Sequence, residues 1–480
     1  MYNRYDRPLT IAGEIMVRLP IPDGDSGVWD DFLNEFLLVE HNGDGSLKSV
    51  VRPGQITNLY TKPGTGIPYT DLDVNVQTAL DSNTLSRVFI DVKSKGAKGD
   101  GTTNDSAAIQ AAITDSVSTG VPVYLSPGTY KINAALTISQ PITIVGAGRG
   151  KAILKSAANL NDYIIKFSGG AVGVGIVAAR FADFTVDGNM GQQTSGGGIL
   201  ADGAVQCSFE RIHFTACYNW GLKLGPVTGG GTGHHNMVYR CLFDAADTSG
   251  GIGGGLWVTT SDENWVLASD FENLGGATNP GTETAPSAIW QADGLAFIQN
   301  CNFVNGGHGC RGITARDSSF GRIHGSMFDG VQGHNVFVVG DAWTITGNTH
   351  TNVGGALAAT PAVGIYLEFG ANNNVVSANS LSTSGTAGKT ASLIKDVSDG
   401  SGGANIIVNN ALTQDTAPTV GMLDIAGAGT YVSGNSGVPT FIPNTTGTPA
   451  TVAGGGTLYV EAGALKFKGS GGTVTTLGPA

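Results

Sequence analysis

Residues 198–222 read GILADGAVQCSFERIHFTACYNWGL. A small residue precedes an aliphatic at Gly198-Ile199 and again at Gly221-Leu222, with Phe214 between them. The same unit returns at Gly255-Leu256, Ala288-Ile289, Gly312-Ile313, Asn335-Val336, Gly364-Ile365, Ser392-Leu393 and Met422-Leu423. Eight steps carry the aliphatic from position 199 to position 423, a mean spacing of 28 residues. Phenylalanine keeps the same period at Phe214, Phe243, Phe271, Phe303 and Phe328. Asparagine does so at Asn302, Asn348, Asn379, Asn410 and Asn435, with Met327 in the place skipped between the first two.

Three interleaved series with one period make each repeat a turn of a solenoid. The apolar runs are short and alternate, without the 3.6-residue period of helices, so each turn is built from strands. The expectation is an all-β chain, a right-handed parallel β-helix with about 28 residues per coil. Like positions then stack about 4.8 Å apart along the axis. Inward aliphatics and phenylalanines form a continuous core, and stacked asparagines hydrogen-bond between turns. Composition agrees: Gly is 74 of 480 residues and only 13% are charged, which suits many short strands joined by tight turns. No Gly-X-Y period accompanies the glycine, which excludes collagen.

The β-helix is expected to occupy 141–436. Before it, residues 88–140 carry GAKGDGTTNDSAAIQAAI (96–113) and VYLSPGTYKI (123–132). These predict a Gly-rich turn, a short helix capped by Asn104 or Asp105, and two strands around a Pro-Gly turn. The Gly-Asp-Gly turn lacks the Gly-Lys-Ser/Thr that would hold phosphate and metal, so its role is structural. This pair of segments resembles the opening of pectate-lyase-like β-helix proteins, common in phage tail spikes and some glycoside hydrolases. Residues 1–87 differ in texture, with acidic and aromatic clusters, a Pro/Gly stretch at 52–70 and a helical stretch at 74–85. Residues 437–480 break the period and read as a β-hairpin module around an Ala-Gly turn. NEFLLVEHNGDGSLK (34–48) and the C-terminal run 454–480 resemble segments of minor tail proteins from phages of Gram-positive hosts. That resemblance implies a virion tail protein, assembled in the host cytoplasm, homotrimeric, and joined through residues 1–87 to other tail proteins.

Charge bounds the partners. Lys and Arg total 26 against 38 Asp and Glu, a net −12 with no long basic run, which argues against nucleic acid. It argues mildly against a polyanionic glycan too, unless a local basic cleft offsets the field. The five cysteines (207, 217, 241, 301, 310) form no CxxC pair and read as reduced core residues. Neither a signal peptide nor a membrane-spanning run is expected.

The chemistry follows from register. With Leu256 and Ile289 inward, alternation turns Trp257 and Trp290 outward on adjacent coils. Thr314, Phe337 and Tyr366 continue that row above, and Lys223 precedes it. Partly exposed tryptophans suit stacking of sugar rings; the alternative is an apolar stripe covered by another subunit or by the coil's own loops. The two longest coils end beside the Trp pair, and solenoid insertions cluster on binding faces. Trp257, Trp290, Lys223 and Tyr366 are therefore the candidate substrate-binding residues, for host cell-wall or capsular polysaccharide.

Hydrolysis would need two carboxylates flanking the bond. Asp244 and Glu272 each follow a Phe anchor and should stack one coil apart, compatible with a retaining pair. Asp262, Glu263 and Asp293 are alternatives, although Asp202, Asp293, Asp317 and Asp341 equally fit a recurring turn. His308 and Arg311 could supply the base and charge clamp of a lyase. His234 and His235 are consecutive, a poor geometry for metal ligands, and no metal or other cofactor is expected. Adhesion and depolymerisation both remain open at this point, because the fold serves either.

Overall fold

The computed structural model describes Thr10–Ile11, Glu14–Ile15 and residues 89–478, apart from 168–174, 226–232, 245–253, 260, 276–286, 292–294, 305–309, 317–319, 354–361, 384–389, 414–421, 426–429, 437–443 and 446–456. The chain divides into two units, Met1–Arg87 and Val88–Ala480. In the first, the described residues form one antiparallel pairing, Thr10–Ile11 with Glu14–Ile15. The helix expected at 74–85 and the segment 34–48 lie outside the described residues.

Three long sheets run through the second unit: sheet A of thirteen strands beginning at Ile90–Asp91, sheet B of twelve beginning at Asp100–Asn104, and sheet C of eleven beginning at Leu136–Ile138. Each strand pairs in parallel with the equivalent strand of the next coil. One coil gives Ser208–Glu210 to sheet A, His213–Thr215 to sheet B and Trp220–Gly225 to sheet C. This is the parallel β-helix that the period predicts.

The aliphatic series is the inward row of sheet C. Ile199, Leu222, Leu256, Ile289, Ile313, Val336 and Ile365 pair in that order, all at most 1% exposed. One step differs from the sequence reading: Ile365 pairs with Ile394, not Leu393, and Ile394 with Leu423. A register irregularity after Ala362 takes up the extra residue.

Inside sheet B the phenylalanines form a ring column. Neighbouring centroids lie 4.8, 4.7, 5.0 and 4.6 Å apart from Phe214 to Phe328, with interplanar angles of 9° or less. His350 continues the stack at 4.6 Å, a member that a search for Phe passes over. The column explains the small residue before each aliphatic. A Cβ on Gly221 would sit 2.9 Å from both Phe214 and Phe243, too close for any side chain there without displacing a ring.

Between sheets A and B each coil turns through a left-handed residue, among them Arg211, Arg240, Ala268, Asn300, Gly325, Gly347, Ala378, Asn409 and Gly434. The next residue carries the ladder. Asn348, Asn379 and Asn410 each receive in turn an Oδ1 acceptor from the coil above for the backbone N–H, at 3.0, 3.0 and 2.9 Å, ending on Asn435. Asn302 is not a rung. It lies one residue later, and its Nδ2 donates to Asp270. The lower rungs are Cys241, Ser269, Cys301 and Ser326, smaller groups that serve the same corner. All five cysteines are free and buried.

At the opening, Asp105 precedes the helix Ser106–Thr119, but its carboxylate accepts the Lys98 and Gly99 N–H groups, at 2.7 and 3.0 Å. Asn104 Oδ1 accepts the Ser106 N–H instead. At the C-terminal end, Thr457–Glu461 and Ala464–Lys468 pair antiparallel across Ala462-Gly463. Both turn residues have positive φ (51° and 81°), the geometry that matches hairpin twist.

Candidate binding face on sheet C

Sheet C positions the predicted row. Lys166, Leu200, Lys223, Trp257, Trp290, Thr314, Phe337, Tyr366, Lys395 and Asp424 pair coil by coil, one residue beyond the inward aliphatics. Lys223, Trp257, Trp290 and Tyr366 therefore share one line parallel to the solenoid axis, each partly exposed.

A second row, two residues before each aliphatic, flanks it. Trp220 packs on Trp257 at 5.3 Å between ring centroids. Arg311 lays its guanidinium 3.8 Å from the Phe337 centroid, and Lys223 Nζ lies 4.5 Å from that of Trp257. His334 meets Tyr366 at 5.0 Å and Phe337 at 5.6 Å. Phe337 and Tyr366 meet edge-to-face at 5.4 Å.

Burial sets the electrostatics. His334 Nδ1 accepts the Val363 N–H at 3.1 Å, and burial, reinforced by Arg311 and Lys395, pushes its pKa down to about 3. The ring is neutral and presents Nε2–H as a donor. Burial, with Glu368 beside it, pushes the Tyr366 phenol up to about 12, so it is a donor as well. Burial also lowers Arg311 from its ordinary value, partly offset by Glu368. Asp202, on the same face, is raised by burial, with Lys223 and Lys166 opposing the shift. Three buried polar atoms here, Asp202 Oδ1, Trp220 Nε1 and Trp257 Nε1, have no hydrogen-bond partner among the described residues. The face thus combines aromatic planes, neutral donors and cations, a set that suits sugar rings and their substituents.

The carboxylates lie elsewhere. Asp244 and Glu272 are direct register partners, on sheet B rather than beside the Trp pair on sheet C. Asp244 Oδ1 is buried without a partner among the described residues, and so is Nε2 of His213, whose burial-lowered pKa is opposed by the Asp244 charge. Asp293 and His308 lie outside the described residues, as does most of the extra length of the two long coils. Glu263 is engaged in an ion pair with His235. Among the described residues no group of three or more His, Cys, Asp or Glu could hold a metal ion.

Sequence reasoning leaves out His334, Trp220 and Lys395. The first two have a legible signal, since Trp220, Arg311 and His334 each stand two residues before a core aliphatic. It also misses the outer face of sheet A, where Met237, Trp265 and Phe297 stack in register, with Trp265 44% exposed.

Residues 89–193 match the rhamnogalacturonase A/epimerase, pectate lyase-like family. The opening of the solenoid is thus similar to that family. Mannuronan C5-epimerase AlgE3 of Azotobacter vinelandii is 37% identical over 106 residues, 20% of this chain and 6% of that protein. The pre-neck appendage protein of Bacillus phage phi29 is 32% identical over 239 residues, 49% of this chain and 22% of that protein. The chain therefore spans well under a third of the length of either relative. A tailspike protein of E. coli bacteriophage HK620 superposes with a TM-score of 0.52 at 13% identity, covering 76% of this chain and 69% of that one. Dettilon tailspike protein gives 0.50 at 15%, covering 83% and 78%. At these identities the two structures speak for the fold alone.

Proposed function

We propose that this protein is a phage tail appendage whose β-helix binds bacterial surface polysaccharide through the outer face of sheet C. The observation that carries the reading is the single row Lys223, Trp257, Trp290, Thr314, Phe337 and Tyr366, aromatic or cationic at every coil but that of Thr314. Similarity to the phi29 appendage across 49% of the chain supports the tail setting. In this reading residues 1–87 attach to other tail proteins and the virion carries the protein as a homotrimer. The exposed Trp265, flanked in register by the partly buried Met237 and Phe297 on sheet A, supplies an apolar stripe for a neighbouring copy. The test is retention of purified protein on host surface polysaccharide. Binding lost in Trp257→Ala and Trp290→Ala, with cooperative unfolding retained, supports adhesion; undiminished binding removes this face from the account.

Depolymerisation is the second reading, favoured by the one-coil register of Asp244 and Glu272. Incubation with the polysaccharide separates the outcomes. Shortened chains without new ultraviolet absorbance mean hydrolysis, with Asp244→Asn and Glu272→Gln inactive. New absorbance from unsaturated sugars means a lyase and directs attention to Arg311 and His308. Intact chains leave adhesion alone.

A further inference from the structure

Cations on the outer surface of this solenoid are arranged in several ways: Lys395 is ion-paired and also lies 5.8 Å from the Tyr366 ring, and Arg240, between sheets A and B, lies 5.2 Å from the Tyr239 ring. Lys166 pairs with Asp162, Lys395 with Asp424, Arg180 with Glu210 and Arg211 with Asp183. Lys223 and Arg311 contact aromatic rings instead, and neither forms an ion pair or side-chain hydrogen bond among the described residues. Asp202 and Glu368 are close enough to feel these charges without bonding to them. A guanidinium lying flat on a ring keeps its edge N–H groups directed away from that ring, the fork that grips carboxylate or phosphate. No Arg311 nitrogen is among the buried, unpartnered atoms. Arg311 is itself partly exposed.

The two rings beneath these cations, Trp257 and Phe337, belong to one row and stand three coils apart, with Trp290 and Thr314 between them. At the strand spacing of parallel sheets that separation is about 14 Å along the axis. In a chain of net charge −12, two unpaired cations at fixed positions on an aromatic track are the local offset that an anionic ligand requires.

We propose that the ligand of this face is an acidic glycan lying along the solenoid axis, with anionic groups held at two stations three coils apart, one at Lys223 and one at Arg311. The inference rests on the polysaccharide-binding reading above and adds the sign of the ligand, its direction and its charge spacing. The anion is a carboxylate or a phosphate on the sugar chain, since both match the same donors.

Calorimetric titration with three probes tests this: oligogalacturonates of increasing length, phosphomannan and neutral dextran. The proteins are the full chain, Lys223→Met, Arg311→Met and the double variant, each checked by thermal melting. Arg311→Lys replaces Arg311→Met if the latter does not fold. At least one acidic probe should bind more tightly than dextran, and which one does so identifies the anion. Each single variant should weaken that binding by roughly ten- to a hundredfold. For long chains the two losses should multiply. For oligomers too short to span three coils, the double variant should lose no more than the worse single variant. Losses that fail to multiply on long chains refute the two-station arrangement. Equal binding of dextran, undisturbed by either variant, refutes the acidic ligand while leaving polysaccharide binding intact. Binding of none of the three probes, with retention on host surface polysaccharide intact, overturns the acidic ligand alone; loss of that retention as well overturns both readings.

Discussion

Two aromatic lines climb this solenoid with the same coil-to-coil step and opposite character. Inside sheet B the rings are alike, parallel within 9° and fully enclosed. Outside sheet C the line changes at almost every coil, Lys, Trp, Trp, Thr, Phe, Tyr, Lys, with ring contacts of mixed geometry, from tilted Trp220–Trp257 and edge-on Phe337–Tyr366 to stacked His334–Phe337. The inner line occupies a space that each coil repeats, so one residue type answers every time. The outer line has no such neighbour to match. Its chemistry can vary coil by coil, and a ligand-specific pattern can be written there without disturbing the stack beneath.

The largest effect should come from breaking the inner line. Phe271→Ala removes the ring between Phe243 and Phe303 and should cost about 3–5 kcal/mol in denaturant unfolding. A loss below about 1 kcal/mol would mean that the column is not a stabilising unit.

Next is the polar ladder beside it. Asn379→Ala deprives the Asn348 N–H of its acceptor and also removes donors to Ile345 O and Asn410 Oδ1. The expected cost is about 1–3 kcal/mol, with sugar binding unchanged.

The third prediction uses the one odd member of the column. Burial pushes His350 down to about 3 from the 6.5 of an unperturbed imidazole. Between those values the unfolded chain binds a proton that the fold refuses, so stability falls as pH drops from 6.5 towards 3. The slope is up to about 1.4 kcal/mol per pH unit for this residue, and His334 adds its own share. His350→Phe extends the phenylalanine column and should flatten the acid limb by about one histidine's worth. An unaltered slope would show that His350 is not held neutral by the fold.

Smallest in stability, and largest in binding, is the outer line. Trp290→Ala should change the unfolding free energy by about 1 kcal/mol while glycan affinity drops by roughly tenfold or more. A variant that unfolds readily instead would make the outer row part of the core, and the contrast between the two lines would fail.

The inner line is legible in the sequence because identical space repeats as identical letters. Ile199 to Ile365 and Phe214 to Phe328 can be read off by counting. Counting fails where geometry substitutes one residue type for another. His350 stands in for Phe, and Cys301 and Ser326 stand in for Asn at the corner, so the asparagine period leads to Asn302, one residue past the rung. The outer row follows from alternation alone, which locates Lys223, Trp257, Trp290 and Tyr366 together. Alternation does not bring the second row into the site, because Arg311, His334 and Trp220 join through side chains that lean three residues along the strand and one coil up.

By itself, then, the sequence determined the solenoid, its period, its inward series and the face on which tryptophans emerge, all of them consequences of local alternation repeated at a fixed interval. Only the tertiary structure decided which cations are neutralised and which lie unpaired on rings, and that Asp244 and Glu272 belong to a different sheet from the Trp pair. The reason is physical: a repeat specifies where each backbone goes, whereas pairing and burial of polar side chains depend on which coils meet.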